Sequence, residues 1–558
     1  MLFNTVAPAP KQEEKIESYF SLLKEFVVLF LLLIFSHLLT GNMAENEVGK
    51  LMLAKQFIFP DWLPNDWYLS QPQKYQALFQ LCFGHSIAQF GFLATSIGGR
   101  LIYYSLIASG LVLIARKIKL QLFGLFIATT LFLYSHQGVA IAGEWMVGSL
   151  ETKGFAYGLV LIAIWLAMKK RYIWMIASLG VATSLHILVG GYATLTFLPW
   201  LCWITYKKQL FQRDFLAQYL PTICLGIFIY LLTSLFATVT LFHSLSKTVT
   251  TSDSALSATY IYTFLRNAHH LAPTEWQKIR FLAIAIYLSV FGGCWLITKK
   301  ELKASFQQFS THVTSTKNRL ILLELTLFSL IPLLGGFAVT LFDTEGALLQ
   351  YYPFRFASLM LGLTPLLIST CIIQDKFQEN PSLRQWKRAG IFLSLLTLTL
   401  VHSLTLNNFI QRAIDLQDFP IGVEQNNTES QEVFDWIKEN TAKESIIISS
   451  PSHYIGFNWL SDRATIAKFK LVPPTEVQIF EWYERLNDLS GHPQDYIWEK
   501  TGFAMEEELH KGYQNLTTSQ VKNIMEKYHA DYFFDRSEHD LDLAIAYENT
   551  GYRLYQSN

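Results

Sequence analysis

Long apolar runs without a single charge constrain this chain more than any other feature. Residues 26–40 (FVVLFLLLIFSHLLT), 122–142, 172–206 and 389–406 contain no Asp, Glu, Lys or Arg. A helix needs roughly 20 such residues to cross a bilayer's hydrocarbon core, and only helices or closed barrels satisfy their backbone there. The 558-residue chain is 51% apolar and 16% charged, whereas a typical soluble domain carries about 25% charged residues. The fold class read from this is an α-helical polytopic membrane protein, which excludes a soluble cytoplasmic enzyme. Lys+Arg and Asp+Glu balance at 44 each, so there is no basic footprint for nucleic acid. Cys82, Cys202, Cys224, Cys294 and Cys371 have no C-x-x-C spacing and define neither a disulfide framework nor a zinc site. The first run is followed by Asn42-Met43-Ala44, with Asn where signal cleavage needs a small residue. It reads as a retained anchor.

Eleven spans are expected, near 26–40, 101–115, 122–140, 155–168, 172–187, 191–206, 216–240, 281–298, 320–342, 355–373 and 389–406. One alternate set of short loops holds eighteen Lys and Arg, among them Arg116, Lys117, Lys119, Lys169, Lys170 and Arg171, and the opposite set holds five. Positive loops stay cytoplasmic. This predicts a cytoplasmic tail over 1–25, a transmembrane domain over 26–406 and an extracytoplasmic domain over 407–558. The pair 172–187 and 191–206, joined at Gly190-Gly191, also fits one bent helix or a re-entrant hairpin.

Two segments are too polar to span. Residues 41–98, interrupted by Pro60, Pro64 and Pro72 and rich in Trp and Phe, suit helices lying in the headgroup layer. The second is the C-terminal tail, residues 407–558, which reads as alternating helix and strand. SQEVFDWIKENT is a helix, SIIISS and RATIAKF are strands, and a further helix is opened by Pro474. SQVKNIMEKYH is another helix, with DYFFDR and YRLYQ as closing strands. That alternation favours a small α/β domain.

Ionisable residues close to one membrane face are the chemical candidates, because burying them unpaired costs several kcal/mol. Glu45 and Glu47 follow the first span, and either carboxylate suits a general base. The plainer reading pairs Glu47 with Lys50 or Lys55. Asp61 and Asp66, beside Pro and Trp, read as turn residues. Glu144, Glu151 and Lys153 share one short loop after His136 and could bind a cation or a phosphate, or satisfy one another. His186 reads as a bonded core histidine. Arg266, His269 and His270 (LRNAHHL) form a cluster suited to an anion. Arg355, flanked by Tyr351, Tyr352, Phe354 and Phe356, suits a bidentate grip on phosphate or snorkels to a headgroup. In the tail, Trp459, Arg463, Trp482, Tyr483 and Arg485 could face a sugar or serve the core. No P-loop, G-x-G-x-x-G, H-E-x-x-H or G-x-S-x-G motif is present.

The layout resembles the GT-C integral-membrane glycosyltransferases that use polyprenyl-phosphate-linked sugars. The features that carry the resemblance are the long first outside segment with Glu45 and Glu47, the acidic second outside loop with Glu151, and the outside α/β tail. VFDWIKENTAKESIIISS, DRATIAKFKL and EWYER in the tail are similar to phrases of a bacterial multi-pass family related to that fold. Such enzymes carry an Asp, often in an Asp-Glu pair, where this chain has Asn46-Glu47. The resemblance implies Glu47 as base or acceptor-orienting carboxylate, with Glu45 as the alternative. It implies Arg355 on the carrier phosphate, assisted by Lys153, Arg266, His269 or His270, and Glu151 on a divalent cation in members that need one. It further implies an inverting transfer from a lipid-linked sugar donor, with membrane lipids as surroundings. The lack of a transit-peptide composition and the Lys/Glu-rich N-terminal stretch favour a bacterial inner membrane, and with no cytoplasmic domain able to hold a nucleotide sugar no nucleotide cofactor is expected.

Two other classes compete. Gly190-Gly191 and Gly335-Gly336 in apolar segments could mark the broken helices of a transporter or lipid flippase. A non-catalytic envelope assembly protein would keep the architecture without the chemistry. The charge asymmetry has its own test. In intact cells, a membrane-impermeant thiol reagent is expected to label a cysteine placed in the tail and to spare one placed within 299–319. The opposite pattern inverts the orientation.

Overall fold

The computed structural model describes residues 12–38, 43, 45–71, 76–139, 141–207, 213–245, 256–307, 313–379 and 428–557. Helix α1 (Gln12–Leu33) continues into a π-helical turn, Ile34–Leu38, and α2 covers Glu45–Ile58. Next come α3 (Ala77–Ile118), α4 (Leu122–Val139), α5 (Thr152–Met168), α6 (Tyr172–Leu185) and α7 (Ile187–Lys207). Helices α8 (Arg213–Thr233), α9 (Leu235–Leu245), α10 (Lys278–Gln307), α11 (Val313–Val339) and α12 (Arg355–Glu379) follow. Among the described residues, six helices are long and apolar enough to cross a membrane: Tyr19–Leu38, Ala77–Ile118, Ile187–Lys207, Lys278–Ala304, Val313–Val339 and Arg355–Glu379. The chain is a multi-pass membrane protein, and the expected span at 389–406 lies outside the described residues.

Four expectations change. The span placed at 101–115 is the second half of α3, which starts at Ala77 because the helix-breaking prolines all precede it. It bends once, at Gly91 (φ 77°), a backbone conformation that side chains rarely adopt. The 216–240 span divides at Ser234. The break in 172–206 falls at His186, not at the glycines. Gly190 instead lies where the Thr183 backbone leaves no room for a side chain, so α7 packs tightly on α6. Helix α11 likewise runs unbroken through Gly335-Gly336, and Gly336 packs on Pro353 and Phe354. Neither glycine pair marks a broken helix.

Helices α3 and α5 approach through small residues. A Cβ at Gly158 would lie 2.7 Å from Leu106, and one at Gly154 would lie 2.9 Å from the Tyr103 ring. Glycines four apart on one helix face permit such close backbone packing in lipid. This contact fixes the polar end of α3 against the loop that precedes α5.

The tail forms a four-stranded sheet ordered β1-β2-β4-β3, from β1 (Ile447–Ile448), β2 (Tyr532–Arg536), β3 (Ala544–Glu548) and β4 (Tyr552–Gln556). Strand β1 pairs parallel to β2 and the others pair antiparallel. Side chains alternate across a strand. Phe533 packs with Trp482, Tyr513 and Tyr555 on one face, and Phe534 with Val433, Phe434 and Leu554 on the other. Four helices cover the sheet: α13 (Thr428–Asn440), α14 (Glu476–Leu489), α15 (Gly502–Gln514) and α16 (Thr518–Tyr528). RATIAKF is not a strand. Only Ala464 bridges, to Ile446, while Ile466, Ala467 and Phe469 sink into the core. Thr475 caps α14, so Pro474 precedes the helix instead of opening it.

The segment after α2 fastens this domain to the membrane helices. The Asp66 carboxylate accepts from Leu69 N (2.8 Å), Asn458 Nδ2 (2.5 Å) and Thr465 N (3.1 Å). The Trp62 indole donates to Asp462 at 2.9 Å, and Lys55 pairs with the same carboxylate at 3.5 Å. Asp66→Ala removes one acceptor from three donors, two of them from the tail, and leaves Asn458 Nδ2 only its bond to Arg463 O (3.1 Å), at about 2–4 kcal/mol in all. Limited proteolysis is expected to release the tail from this variant at lower temperature than from wild type. Unchanged release would show that Asp66 does not hold the contact.

Candidate functional site

Past α4, Ala142 (φ 56°) and Gly143 (φ 62°) take left-handed conformations in succession. The reversal carries Glu144 into the bundle, and Glu151 at the N-cap of α5 follows with Lys153 in the first turn. Arg355 is brought to the same place at the start of α12, after Tyr352 (φ 56°) reverses the chain.

These residues form one network. Arg355 Nε donates to Glu144 Oε2 at 2.8 Å, and its Nη1 lies 3.3 Å from His186 Nε2. Lys153 Nζ sits 3.7 Å from both Glu144 Oε1 and Glu151 Oε2. It also lies 3.6 Å over the Trp145 ring, while the Arg355 guanidinium stacks 4.1 Å over Tyr352. Tyr157 donates to Glu144 at 3.1 Å. Glu144, Glu151 and Lys153 are buried, yet Glu151 Oε1 has no hydrogen-bond partner. Burial alone would raise the Glu144 carboxyl. The Arg355 and Lys153 charges outweigh it and hold the group below the ordinary carboxylate range.

Glu47 stands elsewhere. It is fully buried, paired with Arg100 of α3 and bonded by the Ser96 hydroxyl, with Arg100 Nε a further 3.4 Å away. Its partner is neither Lys50 nor Lys55. The two groups are linked through α3, whose Tyr104 donates to Gly148 O at 2.6 Å. Lys50, one turn beyond Glu47, acts electrostatically on His186. Glu45 opens α2, and its side chain lies outside the described residues, as does that of His136.

The LRNAHHL cluster divides. His270 Nδ1–H donates to Ala142 O at 2.5 Å and places its ring at Gly143. Burial lowers its pKa to about 3 and that of its neighbour His269 to about 2, so both imidazoles are neutral at physiological pH. The His269 ring lies 4.7 Å from Phe503 of α15, and its Nδ1 is unpartnered. Arg266 turns away to Phe469 O (2.8 Å) and serves the tail contact. Trp482 and Tyr483 are core residues, and Arg463 donates to Thr441 Oγ1 (2.7 Å) and to the Lys438 and Thr441 carbonyls. The Arg485 guanidinium lies 4.6 Å over Trp67.

The donor set does not fit a divalent cation. The Lys153 ammonium stands between the Glu144 and Glu151 carboxylates, and no group of three His, Cys, Asp or Glu is placed to hold a metal among the described residues. Arg100 was missed from the sequence although it is an ionisable residue inside an apolar helix, the signal that should have found it. Glu144, Tyr157 and His186 join the network only through the tertiary fold.

One family model matches, a domain of unknown function (DUF6798), over residues 428–489. No curated protein matches the chain. Among solved structures the chain is similar to ArnT from Cupriavidus metallidurans bound to undecaprenyl phosphate, at 11% identity and a TM-score of 0.45, covering 96% of this chain and 97% of that one. It is also similar to the Archaeoglobus fulgidus oligosaccharyltransferase tethered with an acceptor peptide, at 13% identity and a TM-score of 0.41, covering 96% of this chain and 74% of that one. Overlays at these scores carry no information on activity.

Removing one partner of a buried ion network typically costs about 3–5 kcal/mol. A carboxyl held low contributes stability that is present above its unfolded value and lost as pH falls through its folded one. The thermal stability gap between wild type and Glu144→Gln is therefore expected to be widest near neutral pH and to close below the carboxylate range. A gap independent of pH would contradict an ionised Glu144.

Proposed function

We propose that this protein is a GT-C-type glycosyltransferase that moves a sugar from a polyprenyl-phosphate carrier to an acceptor, at the membrane face where Arg355, Lys153, Glu144 and Glu151 meet. The observation that carries the reading is the Arg355 guanidinium, nearly buried and paired with Glu144, in a chain segment whose preceding Leu348 and Tyr351 are exposed. Exposed apolar residues in the same segment as a buried cation suit a ligand with a phosphate head and a hydrocarbon tail. Arg355 and Lys153 would exchange part of their hold on Glu144 for the carrier phosphate.

In this reaction the acceptor hydroxyl attacks the sugar C1 from the side opposite the phosphate. The C1–O bond to the carrier breaks, the electron pair leaves with polyprenyl phosphate, and the acceptor proton passes to a carboxylate. Cationic groups on the leaving phosphate stabilise the charge that develops. Glu47 can take that proton only once its pair with Arg100 opens. Glu151 Oε1 already has unused acceptor capacity, which makes Glu151 the base this geometry favours, with Glu47 fixing Arg100. The location that goes with this reading is a bacterial inner membrane, with the site on the extracytoplasmic side.

Purified protein supplied with radiolabelled polyprenyl-phosphate sugars and an envelope extract as acceptor tests the proposal. Arg355→Ala is expected to abolish turnover, and Glu151→Gln to reduce kcat at least ~100-fold, the lower range for a general base. Full turnover by Arg355→Ala would remove the proposal. Solute movement into sealed vesicles without sugar transfer would favour a transporter. Loss of turnover in Glu47→Gln with activity retained in Glu151→Gln would return the base to Glu47.

A further inference from the structure

The tail contains a cavity of about 300 Å³ that takes no part in the membrane-face network. Its wall combines ring faces with hydrogen-bonding groups. His492 and Tyr496 stack at 4.0 Å, nearly parallel (6°), with Trp498 edge-on to both at 4.9 and 5.1 Å. Helix α15 supplies Glu508 and Lys511 opposite them.

This ring platform is held rigid. The Trp498 indole donates to Asn487 Oδ1 at 2.7 Å, while Asn487 Nδ2 donates to the carbonyls of Gln494 (2.9 Å) and Tyr496 (3.1 Å). Tyr483 donates to the Tyr496 carbonyl at 2.9 Å. The Gln494 and Tyr496 carbonyls are thereby satisfied, which fixes the loop that carries the His492 and Tyr496 rings.

We infer that this cavity is a saccharide site for a neutral or amino-bearing pyranose of an oligosaccharide acceptor. A pyranose has an apolar C–H face that packs on an aromatic ring and a rim of hydroxyls that needs carboxylate, ammonium or amide partners. The wall offers both. Its volume lies at the lower end of the ~300–1,000 Å³ range of small-molecule clefts. Charge argues against a phosphate-bearing ligand. Lys511 is paired with Glu507 at 2.7 Å, and Glu508 adds a further carboxylate.

The site's place in the reaction rests on the proposed transferase reading. Phe503, in the first turn of α15, touches His269 beside the membrane-face network. Glu508 and Gly512 of the same helix line the cavity. At 1.5 Å per residue these positions lie about 7–14 Å apart along the helix, so an acceptor of a few sugars held in the cavity reaches toward Arg355.

Full-length protein in nanodiscs, titrated with chitotetraose, its de-acetylated glucosamine tetramer, maltotetraose and a nucleoside diphosphate while tryptophan fluorescence is read, tests the inference. At least one of the saccharides is expected to saturate. Tyr496→Ala and Glu508→Gln are each expected to weaken it 10-fold or more with an unchanged melting temperature. No saturation by any saccharide, saturation by the nucleotide alone, or binding unaffected by both tail substitutions would overturn the inference. The two readings fail separately. Saccharide binding without sugar turnover leaves this site intact and removes the transferase. Turnover with no saccharide binding removes this site alone.

Discussion

Everything chemical in this protein depends on how charge is tolerated at the end of an apolar helix bundle. Arg355, Lys153, Glu144 and Glu151 stand in a place where an isolated charge would cost several kcal/mol. They persist because each faces an opposite charge within 3.7 Å and because Tyr157, Tyr352 and Trp145 supply further polar or π contacts. Such a network is strained in one sense only. Glu151 keeps an oxygen without a partner, and the two cations share the single Glu144 carboxylate.

The scaffold around the network explains its rigidity. Gly154 and Gly158 let α5 lie close to α3, and α3 in turn holds the Glu47–Arg100 pair and the tyrosine that grips Gly148. Asp66, Trp62 and Lys55 bind the tail to the segment after α2, while Phe503 lies against His269. Membrane helices and tail therefore meet around the same group of residues.

The individual site residues were legible to different degrees. Arg355 and Lys153 announced themselves as charges at the edges of apolar runs, and both fall in the network. Glu47 was singled out for its position after the first span, but its partner, Arg100, lies 53 residues away, a distance at which no local pattern operates. Arg266 looked like an anion ligand because it stands three residues before a histidine pair, and the fold spends it on Phe469 O. The tail rings followed the same rule. Trp482 and Tyr483 lie on the inward face of an amphipathic helix, whereas His492 and Tyr496 lie on a loop whose shape no periodicity encodes.

From the sequence alone came the solvent and the class, because hydropathy and charge are summed locally along the chain. A run without charges must lie in lipid or in a core, and alternating helix and strand patterns in a 150-residue tail imply an α/β sheet. Helix continuity was less secure: Gly91 bends α3, Ser234 divides an expected span, and His186 separates two helices where the glycines suggested a break. Only the tertiary structure decided which carboxylate is sealed and which keeps acceptor capacity. Burial and pairing are properties of contacts between distant residues, and local sequence does not encode them.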